Sequence, residues 1–335
     1  MLPITPAIPP TADLVCVTDP REARDRLQGP CVVCVGTFDG VHRGHQAILA
    51  EGKVRADAFG LPLWALCFHP HPKTIVAPDD APLLLTEPSE RQALLGAYGA
   101  DGVLMMHFDA TLARTSAEDF AQSVLIDQLR ARAVVVGMDF GFGRGRRGSA
   151  AFLREWGKNA GVEIVVVDLV RSNTDDDGKT ISSNVIRNAL INNDFGLSGE
   201  LLGHPFPVSG QTEPGAGRGR KYGYPTWNLA LSDSKLPPPV GVYAAMTARS
   251  TPRPAMVYYG SRPTFGDRKA LLEVHVLEGD EQDRTPREAI EAVWLCEYVR
   301  AERRFEGGAD LARQLADDAR AVRRRLSLSD IVRNP

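Results

Sequence analysis

The sequence predicts a doubly wound parallel α/β domain followed by an antiparallel β-barrel that a terminal helix closes. Three observations carry this. Between Cys31 and about Val167, short apolar runs alternate with amphipathic stretches of helical spacing, the pattern of successive β-α units. Around residues 196–203 the alternation stops, and beyond Phe206 strand-like runs follow one another across Gly- and Pro-rich turns. Near the C-terminus, Leu311, Leu315 and Val322 share one face of an amphipathic stretch at about 309–326. Two domains follow, 1–195 and 196–335.

In the first domain the strands are expected at 31–35, 63–68, 102–106, 133–137 and 162–167. Helices are expected near 45–59, 87–98, 117–129 and 149–160. In the second, strands are expected at 208–211, 240–247, 256–259, 271–277 and 290–299, and residues 195–202 read as a short linker between the domains.

A chain of 335 residues can bury two ordinary cores, and 43% apolar with 24% charged residues describes a soluble globular protein. The net charge of −3 gives no basic field for nucleic acid. Residues 1–10 lack a basic start and are broken by Pro3, Pro6, Pro9 and Pro10, so they do not read as a signal peptide. No apolar run approaches a membrane span. Cys31 and Cys34 form a CxxC by count only, because on a strand they face opposite sides. The expectation is a reduced, cytoplasmic protein with small-molecule partners, no nucleic acid, no membrane, and room for weak self-association.

The stretch with the most chemistry runs from Val32 to His45, V-V-C-V-G-T-F-D-G-V-H-R-G-H. It reads as a buried strand, a glycine-bearing turn and a helix that opens near Gly44. Backbone N–H groups at the helix start favour an anion, Gly36, Gly40 and Gly44 allow close approach, and the spacing of His42 and His45 puts both rings on one side. Unusual segments also follow the other strand ends, where ligands bind in such sheets. Phe68-His69-Pro70-His71-Pro72 reads as a stiff loop lining a pocket, with a metal site as the alternative. Residues 138–148, M-D-F-G-F-G-R-G-R-R-G, combine Asp139 and the Phe140 and Phe142 rings with three arginines, and a solvated basic turn is the alternative. In residues 181–187, I-S-S-N-V-I-R, Ser183 or Asn184 could cap a helix, and Arg187 one turn inside could face phosphates.

The second domain has two such features. Residues 215–228 carry Gly217, Arg218, Gly219, Arg220, Lys221 and Gly223 as a cationic flap suited to phosphates, then Pro225-Thr226-Trp227-Asn228. Thr226 and Asn228 are two apart, so on a strand they offer oxygens for a hard cation on one face. In Leu271-Leu272-Glu273-Val274-His275-Val276, alternation puts Leu272, Val274 and Val276 on the core side and Glu273 with His275 on the other. Glu273 could accept a hydroxyl proton in phosphoryl transfer or form a cross-strand salt bridge. The Arg320 and 323–325 cluster reads as a solvated helix end.

The G-x-F-D-G-x-H-x-G-H string resembles the adenylyl- and cytidylyltransferase signature. With the F-H-P-H-P loop, the 138–148 loop and the S182-S183 segment in that order, it resembles the bacterial bifunctional riboflavin kinase/FAD synthetase (FMN adenylyltransferase) family. The flap, Gly260-Ser261-Arg262-Pro263-Thr264 and the L-E-V-H strand resemble that family's kinase half, so the likeness spans nearly the whole chain. It implies a Rossmann-like nucleotidyltransferase domain and a riboflavin-kinase-like barrel, with ATP, riboflavin and FMN as substrates. It further implies Mg²⁺ on Thr226 and Asn228, Glu273 as general base, His42, His45 and Arg187 on the reacting phosphates, and Gly36, Phe38, Asp39, Gly44, Asp139, Phe140, Phe142, Ser182, Ser183 and the flap with Pro225 and Arg262 lining the substrates. The departures are Trp227, Tyr258, Glu213-Pro214, residues 277–280 and Asn184. They leave two alternatives: the same architecture with only adenylyl transfer or a modified flavin, and a non-catalytic flavin-binding regulator.

Overall fold

The computed structural model describes residues 7–8, 13–172, 178, 180–213, 219–261, 270–279, 285–286 and 290–328. Two compact units make up the chain: Pro10–Leu84 with Arg91–Ser183, and Met1–Pro9, Leu85–Glu90 and Asn184–Pro335.

In the first of these, strands β1 (Val15–Val17), β2 (Cys31–Val35), β3 (Leu63–His69), β4 (Gly102–His107), β5 (Ala131–Gly137) and β8 (Glu163–Val167) form one sheet in the order β1-β4-β3-β2-β5-β8. Every pairing is parallel. All five residues of β2 are buried, as a central strand covered on both faces requires. Helices α1 (Pro20–Arg26), α2 (Arg43–Phe59), α3 (Lys73–Val76), α4 (Pro88–Ala97), α5 (Ala110–Arg114), α6 (Ala117–Phe120) and α7 (Ala150–Ala160) connect the strands. The strand order reverses direction between β2 and β5, which makes the carboxyl ends of those two strands the topological switch point.

The alternation expected from the sequence is present, with additions. Strand β1 and α1 precede the first expected strand. The helix expected at 117–129 is α only through Phe120 and continues as a π-helix over Ala121–Gln128. The basic loop after β5 folds on itself, with β6 (Gly141–Phe142) paired antiparallel to β7 (Gly148–Ser149).

The other unit contains α8 (Ser183–Ile191), of which Asn184 onward belongs to it, and α9 (Phe195–Leu202). The stretch read as a linker is therefore helical, capped by Asp194 and burying Phe195, Ser198, Leu201 and Leu202. Strands β9 (Phe206–Glu213), β10 (Trp227–Ala230), β11 (Gly241–Thr247), β12 (Pro254–Ser261), β13 (Ala270–Val276) and β14 (Ile290–Arg300) close a barrel in the order β10-β13-β12-β11-β14-β9. Leu229, Leu272, Val274, Val276, Val293 and Leu295 are fully buried in it. Helix α10 (Gly308–Leu328) lies against β11, β12 and β14. Arg300 grips Asp318 of α10 with two hydrogen bonds of 2.8 and 2.6 Å.

Residues 85–90 are held in this unit by a dry ion pair. Lys235 Nζ donates to Glu90 Oε2 at 2.5 Å, to the Leu85 carbonyl at 2.7 Å and to the Pro207 carbonyl at 2.6 Å. Glu90 Oε1 accepts from the backbone and hydroxyl of Ser209 at 2.6 and 2.7 Å. Both side chains are fully buried. Such a pair is sustained only while each charge keeps its partners, so Lys235→Met strands a carboxylate in the interior. The expected result is a loss of about 3–5 kcal/mol in urea unfolding of this unit. Glu90→Gln/Lys235→Met together should recover much of it.

Candidate active sites

The first site is the turn between β2 and α2. Phe38, Gly40 and Val41 have φ of 51°, 85° and 39°, so two residues with side chains sit in left-handed backbone. For β-branched Val41 this is a strained conformation that its surroundings must hold. The Val41 amide donates to the Phe38 carbonyl at 3.1 Å, and Gln46 Nε2 donates to the Val41 carbonyl at 2.8 Å. Ser183 Oγ donates to the Asp39 carbonyl at 2.9 Å. Helix α2 then starts from His42 as N-cap, whose own side chain does not cap it.

This turn stacks the two imidazoles, with His42 and His45 centroids 3.7 Å apart and planes 16° apart. Phe38, fully buried, meets the His45 ring edge-on at 5.2 Å. Space, more than backbone freedom, explains two of the glycines. A Cβ on Gly44 would lie 3.2 Å from the His42 ring, and one on Gly36 would lie 3.3 Å from the Phe38 ring. His45 is half-buried as a residue, and its Nδ1 is buried without a hydrogen-bond partner among the described residues. Burial, with His42 and Arg91 adding to it, holds the His45 pKa well below the usual histidine range. The ring therefore favours its neutral form, in which one nitrogen can donate a hydrogen bond without carrying charge.

The other residues singled out in this half lie at neighbouring strand ends. The 68–72 loop follows β3, with His69 directly opposite His107 of β4. His71 Nδ1 accepts from the Lys73 amide at 3.2 Å, which ties that ring to its own loop. After β5, Asp139 is exposed. Phe140 stacks on Phe142 at 5.3 Å, and Phe142 is buried against Phe120 and Phe152. That leaves Phe140 as the ring with an accessible surface. Ser182 is half-buried, and Ser183 reaches the Asp39 carbonyl as described. Arg187, in the other unit, is buried on α8 and donates to Asn184 Oδ1 at 3.0 Å.

The second site is a lateral row on the barrel. Tyr258 of β12 is paired with Glu273 of β13, Glu273 with Asn228 of β10, and Asn228 with Glu213 of β9. Directly opposed residues share a face, so these four side chains lie on one face across four strands. Asn228 is fully buried, and its Nδ2 donates to the Glu213 carbonyl at 3.4 Å, which fixes which end of the amide is nitrogen. His275, on the same face as Glu273, bonds the Pro225 carbonyl through Nδ1 at 2.8 Å, with the Tyr224 ring 5.0 Å away. A carbonyl can only accept, so Nδ1 carries the proton, and the ring pins the chain just before Thr226. Thr226 is half-buried, Lys221 exposed, and Gly223 takes φ 82°. Gly217, Arg218 and Arg262 lie outside the described residues, as do Pro214, Pro263 and Thr264; Gly219 opens a short 3₁₀ turn, Gly219–Tyr222.

The two aromatic departures fall on opposite faces. Trp227 is paired with Val274, on the core side, and is buried with the Arg249 guanidinium 5.6 Å over its ring. It does not line the Asn228–Glu273 row. Tyr258 does, and its hydroxyl donates to Glu302 Oε1. Burial and the neighbouring Glu302 and Glu273 carboxylates raise the Tyr258 pKa well above the usual phenol range.

Residues missed in the sequence include Arg91, Glu90 and Lys235. The first two had a signal: with Leu94 and Leu95 they occupy one helical stripe at i, i+4 spacing, so charges stand where apolar residues belong.

Comparison with known proteins agrees with both halves. Residues 24–185 match the FAD synthetase family and residues 202–326 the riboflavin kinase family. The chain is 35% identical over 298 residues to the bifunctional riboflavin kinase/FMN adenylyltransferase of Escherichia coli K12, covering 88% of this chain and 93% of that one. It is 37% identical to the protein of the same name from Pseudomonas fluorescens over 88% of this chain and 92% of that one. The Bacillus subtilis protein of that name is 31% identical, covering 90% and 94%. A solved structure described as a macrolide-efflux protein from Streptococcus pneumoniae shares the fold, with a TM-score of 0.77 and 28% identity over 93% of this chain and 99% of that one. With each unit matched to one half of such enzymes, this chain belongs to the bifunctional riboflavin kinase/FMN adenylyltransferase family.

Proposed function

We propose that the chain makes FAD from riboflavin in two ATP-dependent steps at separate sites. Residues 1–195 are assigned to adenylyl transfer and residues 196–335 to the kinase. The observation that supports the reading most is that Asn228 and Glu273, the proposed cation ligand and base, stand directly opposite each other on β10 and β13.

In the kinase step, Glu273 takes the proton of the riboflavin 5′-hydroxyl, whose oxygen attacks the γ-phosphorus of ATP as the bond to ADP breaks. Thr226 and Asn228 fit Mg²⁺: both are neutral oxygen donors, and this ion completes its shell with water and phosphate oxygens. When bound, Mg²⁺ neutralises charge on the transferring phosphoryl group. The family resemblance assigns Gly217, Arg218, Gly219, Lys221, Gly223, Pro225 and Arg262 to substrate binding, of which Gly217, Arg218 and Arg262 lie outside the described residues.

In the second step an FMN phosphate oxygen attacks the α-phosphorus of another ATP and pyrophosphate leaves. The nucleophile comes with the substrate, so the protein's work is alignment and charge stabilisation. His42 and His45 donate to the ATP phosphates, neutral His45 through a hydrogen bond alone, and the family resemblance assigns Arg187 to phosphate binding as well. Gly36, Phe38, Asp39, Gly44, Ser182 and Ser183 shape the turn, while Asp139, Phe140 and Phe142 form the wall after β5. The cytoplasm suits these reactions and the free thiols of Cys16, Cys31, Cys34, Cys67 and Cys296. Among the described residues no helix is long and apolar enough to cross a membrane.

Glu273→Gln should lower FMN formation from riboflavin by about 10²–10⁴-fold while FAD formation from FMN persists. His45→Ala should do the converse, lowering FAD formation from FMN by about 10²–10³-fold with the kinase intact. Equal loss of both activities in either variant would contradict two sites.

The depressed His45 pKa also sets a pH dependence. Below the ordinary histidine pKa of about 6.5, the unfolded chain takes up a proton at this ring that the folded one does not, so stability falls as pH falls. Urea midpoints compared at about pH 7 and pH 5 should therefore drop less in His45→Gln than in the wild type.

A further inference from the structure

The family's chemistry uses groups that reach the substrates, and Arg91 is not one of them. It is 1% exposed, on the stretch of α4 that belongs to the α/β unit. Its Nη1 donates to the Phe68 carbonyl at the end of β3 at 3.1 Å, and the Cys67 sulfur is a further partner. Its Nη2 stands 3.9 Å from Asp39 Oδ1, and Asp39 is also 1% exposed. A guanidinium is removed from water here to face one carboxylate, and that carboxylate sits in the middle of the strained 38–41 turn.

We infer that Arg91 is a positioning residue for adenylyl transfer: its buried pairing with Asp39, anchored on the end of β3, holds the strained turn that stacks His42 and His45 toward ATP. The inference rests on the adenylyl-transfer reading of this turn. The argument is geometric. Residues 38–41 cannot keep two non-glycine left-handed conformations unless neighbours over-determine them. Ser183 Oγ donates to the Asp39 carbonyl, and the buried Arg91 guanidinium faces the buried Asp39 carboxylate at 3.9 Å. A second consequence is electrostatic. The titratable and charged groups acting on His45 are His42 in the turn and Arg91 on α4, with Phe38 edge-on and uncharged. Arg91 therefore helps to keep the His45 ring neutral.

The test uses the full-length chain with Arg91→Met and Arg91→Lys, and riboflavin phosphorylation by the same polypeptide as the fold control. Arg91→Met should lower kcat for FAD formation from FMN by about 10–100-fold with little change in the KM for ATP. The kinase activity should stay at its wild-type level, and Arg91→Lys should recover part of the loss. The acid limb of the FMN-to-FAD pH profile should move to higher pH, because removing a cation raises the His45 pKa. The ring-proton titration of His45 by NMR should move the same way. Wild-type kcat and profile in Arg91→Met would overturn the inference. So would equal loss of both activities, which marks a merely structural role, and so would a loss confined to KM, which marks a substrate contact. If the wild-type chain makes no FAD from FMN, the functional reading fails, and the NMR titration still decides whether Arg91 controls His45.

Discussion

A parallel sheet covered on both faces leaves its strand ends as the place where side chains and backbone can meet a ligand. Strand β2 is buried along its whole length, and its neighbours β3 and β5 are nearly so. The chain leaving β2 must therefore turn, expose polar groups and enter a helix within a few residues, in space already filled by Phe38 and His42. The left-handed residues, the glycines whose Cβ would crowd a ring and the buried Asp39 all answer that constraint. So does the stacking of the two histidines beside Phe38.

The barrel answers the opposite problem. Closing six antiparallel strands leaves no strand edge, and the inner face fills with Leu, Val and Trp side chains. Chemistry moves to the outer face, where the period of two places Glu273 and Asn228 beside each other on adjacent strands. The same period sends Trp227 inward. A large residue is thereby accommodated next to Asn228 without entering the row, whereas Tyr258 enters it and brings its hydroxyl to Glu302.

Much of this was legible in the sequence, because hydrophobic period and turn chemistry dominate both units. The alternation after Cys31, the expected face of Glu273 and the body of α2, expected at 45–59, follow from period and turn chemistry. Shorter features were hidden for physical reasons. Strand β1 has three residues and β10 four, too few to show a period, and α9 carries Gly196 and Gly199, which read as linker. The buried charges were hidden differently. Arg91, Glu90 and Lys235 become interior only through partners far along the chain, such as Asp39 for Arg91 and Ser209 for Glu90. The one local mark of Glu90 and Arg91 is charge on an apolar stripe.

The central claim is that the chain carries two reactions at separate sites, and chromatography of flavins tests it most directly. Purified protein is incubated with ATP and Mg²⁺ and either riboflavin or FMN. The account predicts FAD from both, with FMN rising and then falling when riboflavin is the starting material. FAD from FMN alone would contradict the kinase assignment of the barrel, and no FAD from either substrate would contradict the account as a whole.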